Sequence, residues 1–194
     1  MQPSPDNIKM AQFVAQAIGI EPHVYPYYDN DRSHELHILK LTDPIDANVC
    51  INMTVGLSDH ENLVAVTDGH QNIPVELFMA SYKEFEQAAN VLSTTAFYIW
   101  KDKYECRPGN VFKHMVDMYF KDTEMKHIYF TAPFLWEDKL DQLELDTKKV
   151  AFLLMIPCSD AEVDYKLEHG DDAFEQLLQD NDINIYDLNR KSVV

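Results

Sequence analysis

At 194 residues, 46% hydrophobic and 25% charged, the chain is long enough for one globular domain, which at this size buries roughly 70% of its unfolded surface. Sixteen Lys and Arg stand against 33 Asp and Glu, a formal net charge of −17, and a surface that negative repels phosphate backbones, so direct nucleic-acid binding is disfavoured. No apolar run approaches the roughly 20 residues of a bilayer span, and the start MQPSPDNIKM lacks a cationic stretch followed by an apolar one, so a cytoplasmic protein with no membrane partner is expected.

The first helix is expected from about Asn7 to Ile18. Ser4 or Asp6 can cap it, Pro5 suits its first turn and Gly19 its end, while Met10, Phe13, Val14, Ala17 and Ile18 share one face. From residue 22 to residue 81 the period shortens to two. His23–Tyr25, Glu35–Leu41, Val49–Val55 and Val75–Ala80 read as strands, with Asp43-Pro44 and Asp68-Gly69 among the turns, so an antiparallel meander is expected. Ser81 and Glu84 have capping-box spacing and predict a helix that stacks Phe85, Ala88, Ala89, Leu92, Ala96 and Ile99 and ends near Lys103. Val111–Phe120 fits either a helix or an extended segment, and Lys126–Tyr129 a strand. Val150–Ile156 is apolar on both faces, as a central covered strand requires. Ser159 and Glu162 repeat the capping box, Gly170 closes that helix, and Ala173–Leu178 forms another. The expected fold class is α+β: a mostly antiparallel or mixed β-sheet packed with helices, forming a single domain over residues 1–194.

The motifs of chemistry fail on spacing. His34-Glu35-Leu36-His37 puts its histidines three apart in a strand pattern, which sends them to opposite faces, whereas a zinc-protease helix needs them four apart. Pro157-Cys158 has no second cysteine two residues on, Gly56-Leu57-Ser58 lacks the closing glycine of a nucleophile elbow, and five scattered glycines cannot cradle a pyrophosphate. Cys50, Cys106 and Cys158 form neither a pair nor a zinc knuckle, and Cys50 and Cys158 read as small core residues. No enzymatic activity, cofactor or metal is expected.

The acidity is concentrated. Residues 137–187 hold 15 Asp and Glu against four Lys, a net of −11, whereas the rest of the chain holds 18 against 12, a net of −6. A solvated face that aids solubility explains this in part. A surface built to meet a cationic partner explains it too, and Glu137, Asp138, Asp141, Asp171 and Asp172 are its candidate contacts. Tyr25, Tyr27, Tyr28 and Trp136 read first as core, and otherwise as the aromatic groove or sheet edge of an adaptor that grips a peptide.

Pro74-Val75-Glu76-Leu77, Pro133-Phe134-Leu135-Trp136 and Ile156-Pro157-Cys158-Ser159, with Glu162 and Gly170 downstream, together resemble the suppressor-of-fused domain over about residues 34–178. The chain looks most like short bacterial members that act as antitoxins, or immunity proteins, encoded beside secreted polymorphic toxins with an LXG-type delivery region and a C-terminal nuclease. The resemblance implies a non-catalytic inhibitor that binds and neutralises a cognate basic toxin through its DNase domain. Of the residues that match the family pattern, Pro157 and Gly170 read as backbone punctuation and Glu162 as a cap. Glu76 alternates with Val75 and Leu77, a position that faces solvent or pairs across the sheet.

Overall fold

The computed structural model describes residues 4–21, 23–135, 139–140 and 142–194. Helix α1 (Pro5–Ile18) forms as its end signals dictate. The Ser4 hydroxyl accepts from the Asn7 N–H, Pro5 sits in the first turn, and Gly19 turns left-handed at φ +82° while its N–H closes onto the Ala15 carbonyl. Strands β1 (His23–Tyr28), β2 (Glu35–Thr42) and β3 (Val49–Val55) then form an antiparallel meander, with Tyr25 opposite Ile38 and Leu39 opposite Met53. A separate hairpin pairs β4 (Leu63–Val66) with β5 (Gly69–Asn72) across the Asp68-Gly69 turn, so that turn serves this hairpin and not the strand after it.

Strand β6 (Val75–Tyr82) returns to the main sheet antiparallel to β3. Helix α2 (Ala88–Trp100) follows, then β7 (Val111–Phe112), β8 (His127–Thr131), β9 (Gln142–Glu144) and β10 (Lys149–Cys158). The sheet order is β1-β2-β3-β6-β10-β8-β7, with β9 paired to β10 beside that path. β10 runs parallel to β6 and antiparallel to β8, so the sheet is mixed around one central strand. Its buried residues alternate between two cores. Phe152, Leu154 and Ile156 face α1 residues such as Met10 and Val14, while Leu153 and Met155 face α2 residues such as Val91 and Leu92. Helices α3 (Asp160–His169) and α4 (Asp171–Asp180) complete the chain, and Phe174 and Leu178 of α4 join the α1 side.

Two expectations are corrected and one is resolved. Ser81 opens no helix: it lies inside β6 opposite Cys50, and α2 begins only at Ala88 without a side-chain cap. The strand is held extended because the Tyr82 N–H donates to the Tyr186 carbonyl and the Lys83 N–H to the Asn48 carbonyl; these long-range bonds override the local capping preference. Of the two positions open to Glu76, the solvent-facing one is excluded: it pairs across the sheet with Thr54 of β3. It is fully buried, and its carboxylate accepts from the Thr54 hydroxyl and from the Gly56 and Ser58 N–H groups. Burial pushes its carboxyl up and those donors oppose the shift. The second correction concerns β1, where Tyr25 and Tyr28 are 48% and 41% exposed on an edge strand. β1 ends the sheet order and pairs with β2 along one edge, and its residues are mostly exposed, so these rings are not core residues.

The capping box at Ser159 and Glu162 is present, with both reciprocal bonds made, but capping is half of what Glu162 does. Arg190, near the end of the chain, donates to Oε1 at 2.6 Å and to Oε2 at 2.8 Å, and also to the Pro157 carbonyl at 2.8 Å. The Ser159 and Val193 N–H groups donate to the same carboxylate. Glu162 is 0% and Arg190 9% exposed. Removing one member of such a pair strands the other charge in a dry site, which costs about 3–5 kcal/mol. Arg190→Ala is therefore expected to lower unfolding stability by about that amount in urea titrations; a loss under about 1 kcal/mol would show that the pair does not lock the tail.

Candidate functional site

Helices α3 and α4 carry the acidic stretch to the surface. Gly170 joins them at φ +88°, ending α3 with a bond from its N–H to the Lys166 carbonyl and opening α4. α4 is amphipathic. Phe174 and Leu178 point into the core, where the Phe174 ring meets Tyr129 edge-on at 5.0 Å, while Asp171, Asp172, Glu175 and Asp180 are exposed. On α3, Asp164 and Glu168 are also exposed. The face therefore presents many carboxylates on two rigid helices.

These carboxylates divide by their partners. Asp160 is committed inward, accepting from Lys126 and, at 2.9 Å, from His127 Nε2. His127 Nδ1 accepts the His114 N–H at 2.9 Å, so Nε2 carries the ring proton and points it at Asp160. Asp171 pairs with Lys166 at 3.0 Å and lies against Gly109, where an added Cβ would collide with its carboxylate. Asp172, Asp164, Glu175 and Asp180 have no cation within 4.0 Å among the described residues. Of the residues expected at the interface, Asp172 is thus presented outward and Asp171 is partly spent on Lys166. Glu137, Asp138 and Asp141, like Trp136, lie outside the described residues.

Beside α4 the surface opens into a cleft of about 460 Å³. Tyr129, Ile156, Leu178, Ile183 and Ile185 line it, and Glu175 stands among them. Glu175 Oε1 accepts from both the Tyr129 hydroxyl and the Thr131 hydroxyl, each at 2.8 Å. Burial and the neighbouring Glu175 carboxylate push the Tyr129 hydroxyl well above the usual phenol range. Glu175 was missed by the sequence reading. Its signal was the i, i+3, i+4 relation of Asp171, Asp172 and Glu175 opposite the Phe174–Leu178 stripe. A wider groove of about 760 Å³ lies along α1 and reaches Val24, His37 and Val55, but it offers little charge, with Glu21 the one carboxylate on its lining.

Among the described residues, the groups best suited to chemistry are held by other partners. Asp29, Asp31 and His34 bring ligand atoms within 4.8 Å of one another, yet Lys101 Nζ stands 2.5 Å from Asp29 Oδ2 and 4.0 Å from Asp31 Oδ1, supplying the positive charge that a cation would bring. Burial pushes the Asp29 carboxyl up, but bonds from Lys101, His34 and Ser33 outweigh it and hold the group well below the carboxylate range. Ser33 Oγ and Asp29 Oδ2 both meet His34 at the same nitrogen, Nδ1, so the three cannot relay a proton from serine through histidine to aspartate. His37 pairs with Glu35 at 3.2 Å, apart from His34. Cys106 and Cys158 are buried and Cys50 is half-buried, all three free, and burial raises each thiol above its ordinary value, the opposite of what a reactive cysteine needs.

The fold and surface thus define an anionic three-layer α+β domain with carboxylates gathered on its α3–α4 surface. Residues 32–191 match the family described as Suppressor of fused protein (SUFU), and the chain belongs to that family. It is 37% identical over 189 residues, 97% of each chain, to the Immunity protein YqcF of Bacillus subtilis (strain 168). Among solved structures, a SUFU homologue from Neisseria gonorrhoeae FA 1090 superposes with a TM-score of 0.70 at 14% identity over 97% of each chain. A chain of a Sufu–Fu complex gives 0.70 at 13% identity, covering 99% of this chain and 93% of that one. Drosophila Suppressor of Fused gives 0.62 at 12% identity and is covered over 54% of its length. The α+β expectation and the family resemblance are both met. No helix among the described residues is long and apolar enough to cross a membrane.

Asp160 supports a pH prediction. Hydrogen bonds from Lys126 and then His127 hold its carboxyl down at about 2. A depressed carboxyl contributes its stability in full above its unfolded value, near 4, and loses it as pH falls through about 2. Asp160→Asn should therefore be less stable than the parent at pH 7, by under about 1 kcal/mol because the side chain is largely exposed. That gap should close between about pH 4 and pH 2 in denaturant titrations, and a gap independent of pH would exclude this ion pair as its source.

Proposed function

We propose that this chain is a cytoplasmic immunity protein, which binds and neutralises the nuclease domain of a cognate secreted toxin. The observation that carries the reading is the α3–α4 face, where Asp164, Asp172, Glu175 and Asp180 stand without cationic partners among the described residues. A nuclease cleft holds phosphates with Lys and Arg, and a row of carboxylates on a firm scaffold offers the same cations an alternative partner. The 37% identity to a protein named as an immunity protein supports it from an independent direction. Glu137, Asp138 and Asp141 extend the acidic stretch in sequence and are included in the proposed contact set, with Asp172 outward on α4 and Asp171 at its edge. Inhibition is stoichiometric in this reading: the chain covers the cleft and performs no chemistry.

The direct test is co-expression with the gene adjacent to the chain's own, which this reading takes to encode the toxin. Cells are expected to survive only when both are present, and death in both cases would exclude the reading. The electrostatic part has its own measurement. Combining Asp164→Lys, Asp172→Lys and Asp180→Lys, all at exposed positions, should slow association with the purified nuclease domain by roughly tenfold or more at low salt. The parent's association rate should fall as ionic strength rises; a rate indifferent to both changes would remove the acidic face from the mechanism.

A second reading is favoured by the exposed edge strand. Tyr25 and Tyr27 flank the Lys40 ammonium at 5.5 and 5.4 Å, and Tyr28 underlies Arg32 at 4.8 Å, which gives an aromatic, locally cationic strip suited to an adaptor that grips a peptide. Pro26, in the middle of that strand, has no N–H to offer an added strand, which blunts the edge against strand addition. Replacing Tyr25 and Tyr28 with Ser should leave toxin binding unchanged if α3–α4 is the interface, and abolish binding if this strip is.

A further inference from the structure

We infer that the cleft beside α4 is a socket for a single arginine side chain of the toxin domain, with Glu175 as its counter-ion. The inference rests on the immunity reading for the identity of the partner, and on the cleft itself for the chemistry. Two properties of the cleft select the occupant. Its walls are largely apolar, from Ile156, Leu178, Ile183 and Ile185, and the exposed Phe134 adds a ring face, while Tyr129 is buried behind the lining. Among the described residues the charge on its lining is of one sign only: Glu175 and Asp182 are present, and no Lys, Arg or His.

Glu175 is already oriented. The Tyr129 and Thr131 hydroxyls both donate to Oε1, which fixes the carboxylate at the cleft with neutral donors only. An apolar anchor entering this space would strip water from an unpaired carboxylate, a loss that its own burial does not offset. An acidic group would be repelled. An arginine satisfies both demands at once: its methylene stem lies along the aliphatic wall, and its planar guanidinium meets the carboxylate in a fork while stacking on an aromatic face. Lysine carries the charge but can neither fork nor stack in that way. At about 460 Å³ the cleft has room for such a side chain together with bridging water.

The socket can be tested without the toxin. Methyl-labelled protein would be titrated by NMR with N-acetyl-arginine methylamide, and in parallel with the citrulline analogue, which has the same shape without the charge. At roughly millimolar concentration, as a ligand this small permits, the arginine compound is expected to shift the methyl signals of Ile156, Leu178, Ile183 and Ile185. The citrulline analogue is expected to leave them in place. Glu175→Gln keeps an oxygen to accept the Tyr129 and Thr131 hydroxyls, so the fold is retained while the charge is lost, and it should abolish the response. Gln179→Lys, at an exposed position on the lining, brings an ammonium to the cleft and should abolish it too. Equal shifts with both compounds, no shift in these methyls, or an undiminished response in Glu175→Gln would each overturn the socket. With the nuclease domain itself, Glu175→Gln should weaken binding by roughly tenfold or more, and an unchanged affinity would likewise overturn it. Failure of the immunity reading registers elsewhere, as cell death despite co-expression of the parent chain, while the arginine titration is decided independently.

Discussion

The Glu162 carboxylate lies where three separate parts of the chain must meet. It caps the first turn of α3, it binds the Arg190 guanidinium through both oxygens, and it accepts an N–H from Val193. Arg190 in turn reaches the Pro157 carbonyl near the end of β10. The central strand, the acidic helix pair and the terminal segment are therefore joined by one ion pair from which water is excluded. Neither charge could remain there without the other, since desolvating a lone carboxylate or guanidinium costs several kcal/mol. The pairing makes placement of the tail a condition of folding, and the tail then contributes further bonds: Thr123 donates to the Leu188 carbonyl, and Ser192 meets both Ser159 and Glu124.

That anchorage bears on the acidic face. An interface made of carboxylates on mobile loops would lose side-chain and backbone freedom on every binding event. Here α3 begins at the buried ion pair, α4 is pinned by Phe174 and Leu178, and the cleft wall at 182–186 is tied to β6 by the Tyr82–Tyr186 backbone bond. The charges are held by elements whose positions the fold itself settles. The acids of the molecule are sorted accordingly. Asp29, Asp160 and Glu162 neutralise cations that the fold itself supplies, and Asp172, Asp164 and Asp180 are left to solvent.

Much of this organisation is legible in the amino-acid order, for local reasons. Ser4, Pro5 and Gly19 delimit α1, and Ser159 with Glu162 starts α3, because a cap needs only neighbours in sequence. The apolar run of β10 identifies the central strand because both of its faces must be covered. Non-local partners are what the pattern hides. Ser81 and Glu84 carry the same cap spacing as Ser159 and Glu162, yet bonds from Tyr82 to Tyr186 and from Lys83 to Asn48 hold the strand extended. Glu76 alternates like a solvent-facing residue, but Thr54, Gly56 and Ser58 surround its carboxylate from another strand and turn. Arg190 gives no local sign that it belongs with Glu162, 28 positions away.

The acidic face shows the same boundary between what is local and what is not. Net charge over a stretch is additive, so the acidic character of residues 137–187 can be read by counting. Which carboxylates remain available depends on where the few cations land, and Lys166 takes Asp171 while Lys126 takes Asp160. The cleft is further from the sequence still, because its lining comes from β8, β10, α4 and the segment after it. Charge density alone attracts any basic protein and mostly sets how fast partners meet. A carboxylate fixed beside an apolar recess demands a cation at one position with a stem of one length, and it penalises a partner that places anything else there. Under the proposed function the exposed acids and the recess therefore divide the work of recognition: the first speeds encounter, and the second sets which encounter persists.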